Sequence, residues 1–281
     1  MGTDPAIAPL IEGLPLTAAA FIVTVYGDVV MPRGEVLWMG SLIRLCGQIG
    51  ISENLVRTAV SRLVAAGRLE GERAGRRSFY RLAPAARAEF LQAAHQLYAP
   101  GRGARGWLIL HAPGLSDEES RRHRLARMGG DVWIGPDRDE PLPTGALVFR
   151  AATPDDVATL PAMAGFWDIP GLGARYQALL DRFRPLAGRV AAGDLPGGAE
   201  ALMARLLLVH VYRGVLLRDP GLPEGALPEG WPGKAARGLF RDLYRALSPA
   251  AEAEIGATLE GEDAPLPGAT PQTRARLMAL G

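Results

Sequence analysis

The sequence predicts an α+β protein with an N-terminal winged helix-turn-helix, a central ferredoxin-like α+β domain and a mainly helical C-terminal domain. Two observations carry this expectation. Residues 52–82, SENLVRTAVSRLVAAGRLEGERAGRRSFYRL, read as a helix followed at once by a basic two-stranded ribbon. Beyond a Pro- and Gly-rich break at 100–106, short apolar runs alternate with amphipathic ones and then give way to helical periodicity.

Taken in order, residues 1–16 hold Pro and Gly breaks without periodicity and are expected to form a flexible arm. The first domain spans 17–99. Residues 17–30 predict an apolar helix, 36–39 a short strand, and Ser41 an N-cap for a helix reaching about residue 49, where Gly50 stops it. Ser52 caps the next helix two residues later, the short turn of a DNA-reading motif. At 100° per residue, Leu55, Val56, Ala59, Val60 and Leu63 share one face, while Asn54, Arg57, Thr58, Ser61 and Ala65 share the other. A groove-reading helix needs short polar groups at its centre, so that the backbone can approach base edges, and Arg at its margins for guanine edges or phosphates. Thr58 and Ser61 between Arg57 and Arg62 meet that need.

Strands at 68–73 and 77–82 follow, joined by a tight turn at Ala74-Gly75, with Arg73, Arg76 and Arg77 at the tip. From 52 to 82 there are seven Arg against three Glu, so cation density sits where a duplex would lie. The DNA-contact candidates are Ser52, Asn54, Arg57, Thr58, Ser61, Arg62, Arg73, Arg76 and Arg77. A helix at 84–98 closes the domain.

The central domain, 106–168, reads as a strand at 107–111, a helix at 117–128, strands at 131–135 and 146–150, and a helix at 154–166. The C-terminal domain, 169–281, reads as helices at 173–190, 198–217, 234–247 and 249–259, interrupted by a proline-rich loop at 219–233.

Whole-chain properties narrow the function classes. With 31 Lys plus Arg against 30 Asp plus Glu, overall charge says nothing about nucleic acid, and only local clustering carries that argument. No apolar run approaches a membrane span and the N-terminus lacks a basic leader, which predicts a cytoplasmic protein with no membrane partner. The single cysteine, Cys46, excludes an intramolecular disulfide and a multi-cysteine zinc site. It lies among Leu42, Ile43 and Leu45 and reads as a small buried hydrophobe. No GxSxG, HExxH, P-loop or dinucleotide-binding glycine motif occurs, and His95, His111, His123 and His210 are scattered. Metal-dependent nucleases built on ferredoxin-like domains carry an Asp at the end of the first strand; here WLILHAP has His111 instead. The expectation is a protein without enzymatic activity or cofactor.

At this point the residues carry a family resemblance. YGDVVMPRGEVLWMGSLIRLCGQIGISENLVRTAVSRLVAAGRLEGERAGRRSFYRL resembles the N-terminal domain of the PaaX family, repressors of phenylacetate catabolic operons. The likeness continues through Trp133-Ile134, HVYR at 210–213, Asp219-Pro220, Trp231-Pro232-Gly233 and the LF..LY..LSP pattern at 239–249. Residue by residue, Arg57, Thr58, Ser61 and Arg62 occupy the family's VRTAVSRL helix, and Arg76 and Arg77 its GRRSxY wing. The chain departs from the pattern mainly by replacing Lys with Arg, since Lys234 is its only lysine. The resemblance implies a homodimeric repressor that binds a palindromic double-stranded operator and leaves it when an aryl-acetyl-CoA, typically phenylacetyl-CoA, accumulates.

A CoA thioester needs Arg clusters or helix N-termini for its phosphates and apolar or aromatic walls for its acyl part. The candidates are Arg175, His210, Tyr212, Arg213 and Trp231, the last because a Trp in a Pro- and Gly-rich loop has no periodic neighbours to bury it. Arg205 lies on the same predicted helix as His210 and Arg213. Arg121, Arg122, Arg124 and Arg127 share one predicted helix, which reads foremost as a solvated face balanced by Asp117, Glu118 and Glu119. Two alternatives stay open: a regulator of another pathway with a different acyl-CoA effector, and a DNA-binding scaffold that senses no ligand.

Overall fold

The computed structural model describes residues 5–99, 103–152 and 159–281, the last without the side chains of 159–161. Residues 1–4 of the expected arm, 100–102 of the expected linker and the start of the helix expected at 154–166 lie outside the described residues. The chain divides into two units, neither continuous: residues 1–100, 179–213 and 235–281 form the first, and 101–178 and 214–234 the second. The stretch expected to be a separate helical domain, 169–281, is thus shared between them.

In the first unit, α1 (Ala8–Ile11) buries Leu10 and is preceded by buried Ile7. Arg182 donates to the carbonyls of Leu10 and Glu12 at 3.0 and 2.8 Å, so the expected arm is tied down at buried Ile7 and Leu10 and at Glu12. The helix α2 (Ala18–Val25) is capped by Thr17, whose hydroxyl accepts from the Ala20 N–H at 3.3 Å. It continues through a π turn (Tyr26–Val30) and a 3-10 turn (Met31–Arg33) to Gly34, at φ +94°. Then follow β1 (Val36–Trp38), α3 (Met39–Gly47), α4 (Glu53–Ala65), β2 (Leu69–Ala74), β3 (Arg77–Leu82) and α5 (Pro84–Tyr98). Ser41 does not cap α3 as expected, because the helix starts three residues earlier than that cap would place it, with Trp38 as N-cap.

The stops of α3 and α4 have one cause. In each, a glycine in the left-handed region, Gly50 at φ +81° and Gly67 at φ +64°, lets the next N–H reach back to close the final turn. Those bonds are Ile51 to Cys46 at 3.1 Å and Arg68 to Leu63 at 2.8 Å. The three strands form an antiparallel sheet in the order β1-β3-β2.

The C-terminal helices join this unit through buried charge. Asp28 is fully buried and meets Arg205 on α9 (Gly198–Leu216), with 3.2 Å between carboxylate and guanidinium. Tyr98 and Tyr244, the latter on α10 (Gly233–Thr258), both donate to Asp28 Oδ1 at 2.8 Å. Arg276 on α11 (Pro271–Leu280) donates to the carbonyls of Asp28 and Gly27 at 3.0 Å each. Glu252 accepts from both Arg205 and Arg33. Burial alone would raise the Asp28 carboxyl's pKa, but Arg205 and Arg276, with the two tyrosine hydroxyls, hold it below the usual carboxylate value.

The second unit is built on an antiparallel sheet in the order β5-β6-β4-β7, from β4 (Trp107–His111), β5 (Ala126–Gly129), β6 (Val132–Pro136) and β7 (Leu147–Ala151). Its helices are α6 (Asp117–Arg122), α7 (Thr159–Ala164) and the start of α8 (Ile169–Ala191). One core gathers Leu108, Leu110, Leu125 and Trp133; another gathers Trp107, Ala126, Ile134, Ala164, Ile169, Leu222 and Ala226.

The helix expected at 117–128 ends at Arg122. Arg124 adopts φ +58°, and the Leu125 N–H closes back to the Ser120 carbonyl at 2.8 Å. This is the same stop as at Gly67, made by an arginine, so the composition carries no glycine signal for it. The consequence is a fourth strand. Arg127 lies on β5 with its guanidinium 4.1 Å from the Trp133 ring centroid, apart from the helix that holds Arg121 and Arg122.

Candidate nucleic-acid interface

Helix α4 buries Val56, Ala59 and Val60, and packs on α2 and α3. Leu55, expected on that face, is 57% exposed, because it sits a full 100° from Val56 at the margin of the stripe. The outward face therefore carries Asn54, Leu55, Arg57, Thr58, Ser61 and Arg62, all exposed. Ser52 occupies the N-cap position, but its hydroxyl accepts no capping bond. Arg57 is paired with Glu53 one turn earlier, at 2.7 Å.

The ribbon pairs Ala74 with Arg77, so Gly75 and Arg76, rather than Ala74 and Gly75, are the two central turn residues. Gly75 has φ +60° and Arg76 does not share a positive φ, the pattern of a II′ hairpin turn. Arg76 stands at the tip, exposed and without a hydrogen bond or ion pair to any described residue. Arg73 donates to the Gly75 carbonyl at 3.2 Å.

Strand alternation sorts the remaining side chains. Gly71, Arg73, Ser78 and Tyr80 share the face turned toward α4, while Glu72, Arg77, Phe79 and Arg81 share the other. Between α4 and the first face runs a groove of about 410 Å³ lined chiefly by Arg57, Ser61, Val64, Arg73, Ser78 and Tyr80, with Met39, Gly71 and Glu72 also on its wall. Arg77, expected at the contact surface with Arg73 and Arg76, points the other way. It donates to Glu260 at 2.6 Å and lies 4.6 Å from the Trp38 ring centroid. Val64, Ser78 and Tyr80 were not among the candidates; the period-two alternation along 77–82 held the signal for the last two, once the ribbon's facing was known.

Residues 17–86 match the PaaX-like protein family and residues 167–256 the PaaX-like protein C-terminal domain. Transcriptional repressor PaaX of Escherichia coli (strain K12) is 31% identical over 295 residues, which cover 94% of this chain and 92% of that protein. The chain belongs to the PaaX family. In fold it is also similar to the solved structure of uncharacterized protein Rv0674 from Mycobacterium tuberculosis, at 24% identity and a TM-score of 0.51, covering 85% of this chain and 98% of that one.

The first PaaX match contains the groove, and the second contains all five effector candidates. Those five fall in both units: Arg175 and Trp231 in the second, His210, Tyr212 and Arg213 in the first. Arg175 is exposed on α8. Trp231 meets Tyr176 edge-on at 5.8 Å and covers Gly173, where a Cβ would come within 3.2 Å of its ring. Tyr212 is 1% exposed and stacked on Phe240 at 4.2 Å, which makes it a packing residue of the helical core. His210 lies 2.9 Å from the Thr24 hydroxyl, and Arg213 donates to the Ala20 carbonyl at 3.3 Å, so the HVYR mark of the family ties α9 to α2. Burial first, and Arg213 second, push the His210 pKa down to about 4.

Among the described residues, no group of three or more His, Cys, Asp and Glu could hold a metal ion, and no helix is long and apolar enough to cross a membrane.

Proposed function

We propose that this PaaX-family chain is a cytoplasmic, DNA-binding transcriptional repressor of an aromatic catabolic operon. Its residues 17–99 act as a winged helix-turn-helix, and its second unit as a ferredoxin-like domain. The observation that carries the reading is the groove between α4 and the basic ribbon, in a chain related to a protein named as a transcriptional repressor. In this reading α4 enters a major groove. Thr58 and Ser61 let the helix approach base edges, while Arg57 and Arg62 take guanine edges or phosphates; Arg57 exchanges its weak, exposed bond to Glu53 for the nucleic acid. Arg73 and Arg76 on the ribbon neutralise phosphates, without base specificity.

Two copies bind a palindromic operator, and an aryl-acetyl-CoA such as phenylacetyl-CoA releases them. Exposed Arg175 offers a phosphate partner for that ligand. The test is a gel-shift titration with duplexes enriched from a random pool by the wild-type chain, against scrambled duplex, with and without phenylacetyl-CoA. Selective binding that the thioester weakens supports the reading. Equal affinity for all duplexes rules out sequence-specific repression, and selective binding indifferent to the thioester leaves a DNA-binding scaffold.

A further inference from the structure

The back face of the ribbon, turned away from the groove, is gripped by an acidic turn that follows α10. Residues 258–266 fold against β1. The Trp38 N–H donates to the Glu260 carbonyl at 2.9 Å, the Glu260 N–H to the Ser41 hydroxyl at 3.0 Å, and Arg44 to the Thr258 carbonyl at 2.9 Å. Gly261 and Ala264 close the turn with a 2.9 Å bond, Leu266 returns to Leu259 at 2.8 Å, and both leucines are buried. Backbone bonds and buried leucines therefore hold this platform without help from its carboxylates.

From the platform two carboxylates reach the ribbon. Glu260 accepts from Arg77 at 2.6 Å, and Glu262 accepts from Arg81 at 3.2 Å. Phe79, between those arginines on the same face, is buried. β1 pairs only with Phe79, Tyr80 and Arg81, so from Ser78 outward the ribbon has two strands and no third. A two-stranded hairpin is marginal in water by itself. Arg77 sits on the outermost rung, beside the turn, and its two partners, Glu260 and Trp38, belong to the body of the unit. Half-exposed ion pairs add little to global stability, so losing these two pairs leaves the chain folded.

We propose that Glu260 and Glu262 are positioning residues for DNA recognition. By holding Arg77 and Arg81 from behind, they aim the ribbon so that Arg73 and the Arg76 tip close the groove opposite Arg57 and Ser61. This rests on the DNA-binding reading above. The opposite role, an acidic turn competing with phosphate for the same arginines, fits less well, because neither Arg77 nor Arg81 lines the groove.

The test uses the full chain and the Glu260→Gln/Glu262→Gln variant, with amide hydrogen exchange and DNA titrations on enriched and scrambled duplexes. Exchange at ribbon amides 71–78 should rise about tenfold, while amides of α9 stay protected. Affinity for both duplexes should fall about fivefold, and adding Arg76→Ala should cost less in the variant than in the wild type, since a misaimed tip has already lost its contact. A rise in affinity would identify Glu260 and Glu262 as competitors and overturn the proposal. Unchanged exchange and affinity in the variant would overturn it too, leaving the DNA reading intact. A wild-type chain that binds no duplex sinks the DNA reading and the proposal with it, even if ribbon exchange responds.

Discussion

Arg205 and Asp28 meet 3.2 Å apart with neither side chain exposed, and this pair joins α9 to the π turn that continues α2. A buried charge stripped of its partner keeps its desolvation cost without the attraction that offset it. Arg205→Met should therefore destabilise the first unit by about 3–5 kcal/mol, far more than loss of a surface pair. Adding Asp28→Asn should recover part of that, because the orphaned carboxylate is gone. Denaturant titration of the single and double variants measures both; a cost under about 1 kcal/mol for Arg205→Met would show the pair to be energetically idle.

Arg57→Ala removes an outward-facing guanidinium at the edge of the groove, together with its pair to Glu53. Fold stability should change by less than about 0.5 kcal/mol, while binding to the enriched duplex weakens by about 1–3 kcal/mol. Undiminished selectivity in gel shifts would remove α4 from the major groove.

Arg76 and Arg77 are neighbours in sequence with opposite prospects. Arg76→Ala should weaken all duplexes alike and lower the slope of log affinity against log salt by about one unit, as for a single lost phosphate contact. A slope that stays at the wild-type value would mean that the ribbon tip does not lie on the duplex.

His210 makes stability depend on pH. Its folded-state pKa, lowered to about 4, lies below the unfolded value of about 6.5, so protonation favours the unfolded chain. The stabilisation is present above about pH 6.5, declines as pH falls through the window between the two values, and is fully lost below the lower one. The loss across that window should approach 3 kcal/mol (order of magnitude). Thermal melts from pH 7 to pH 4 should show it, and His210→Asn, which keeps a donor toward Thr24, should flatten it. A wild-type profile as flat as the variant's would assign the titration elsewhere.

If a thioester releases the operator, the coupling must be reciprocal. Calorimetry should find phenylacetyl-CoA bound more weakly in the presence of enriched duplex, by a factor matching about 1–3 kcal/mol, and bound more tightly than free phenylacetate or free CoA. Free phenylacetate binding as tightly as the thioester would discard the CoA part of the ligand.

Much of the segment from α2 to α5 was legible because its signals are local. Gly50 and Gly67 announce the helix stops, the 56, 59, 60 stripe announces the buried face of α4, and a glycine at a two-residue turn announces the ribbon. Where a stop had no glycine, as at Arg124, the reading overran by six residues and hid β5. Leu55 was misassigned because an apolar residue at the margin of a stripe is buried only if a neighbouring element covers it.

The sequence by itself determined the α+β class, the boundaries of α4 and the concentration of arginine around it, since each depends on residues within a few turns of one another, and it carried the family in motifs spread along the chain. Only the tertiary structure decided which arginines face which way. Arg73 and Arg77 differ by one step of strand alternation, and which face meets α4 is fixed by how the sheet packs. Tertiary structure also decided that most of the C-terminal helical residues, 179–213 and 235–281, belong with residues 1–100 rather than to a domain of their own. The reason is electrostatic: Asp28, Arg205, Glu252 and Arg276 are ordinary surface residues in composition, and become a core only when folding brings each buried charge to a partner.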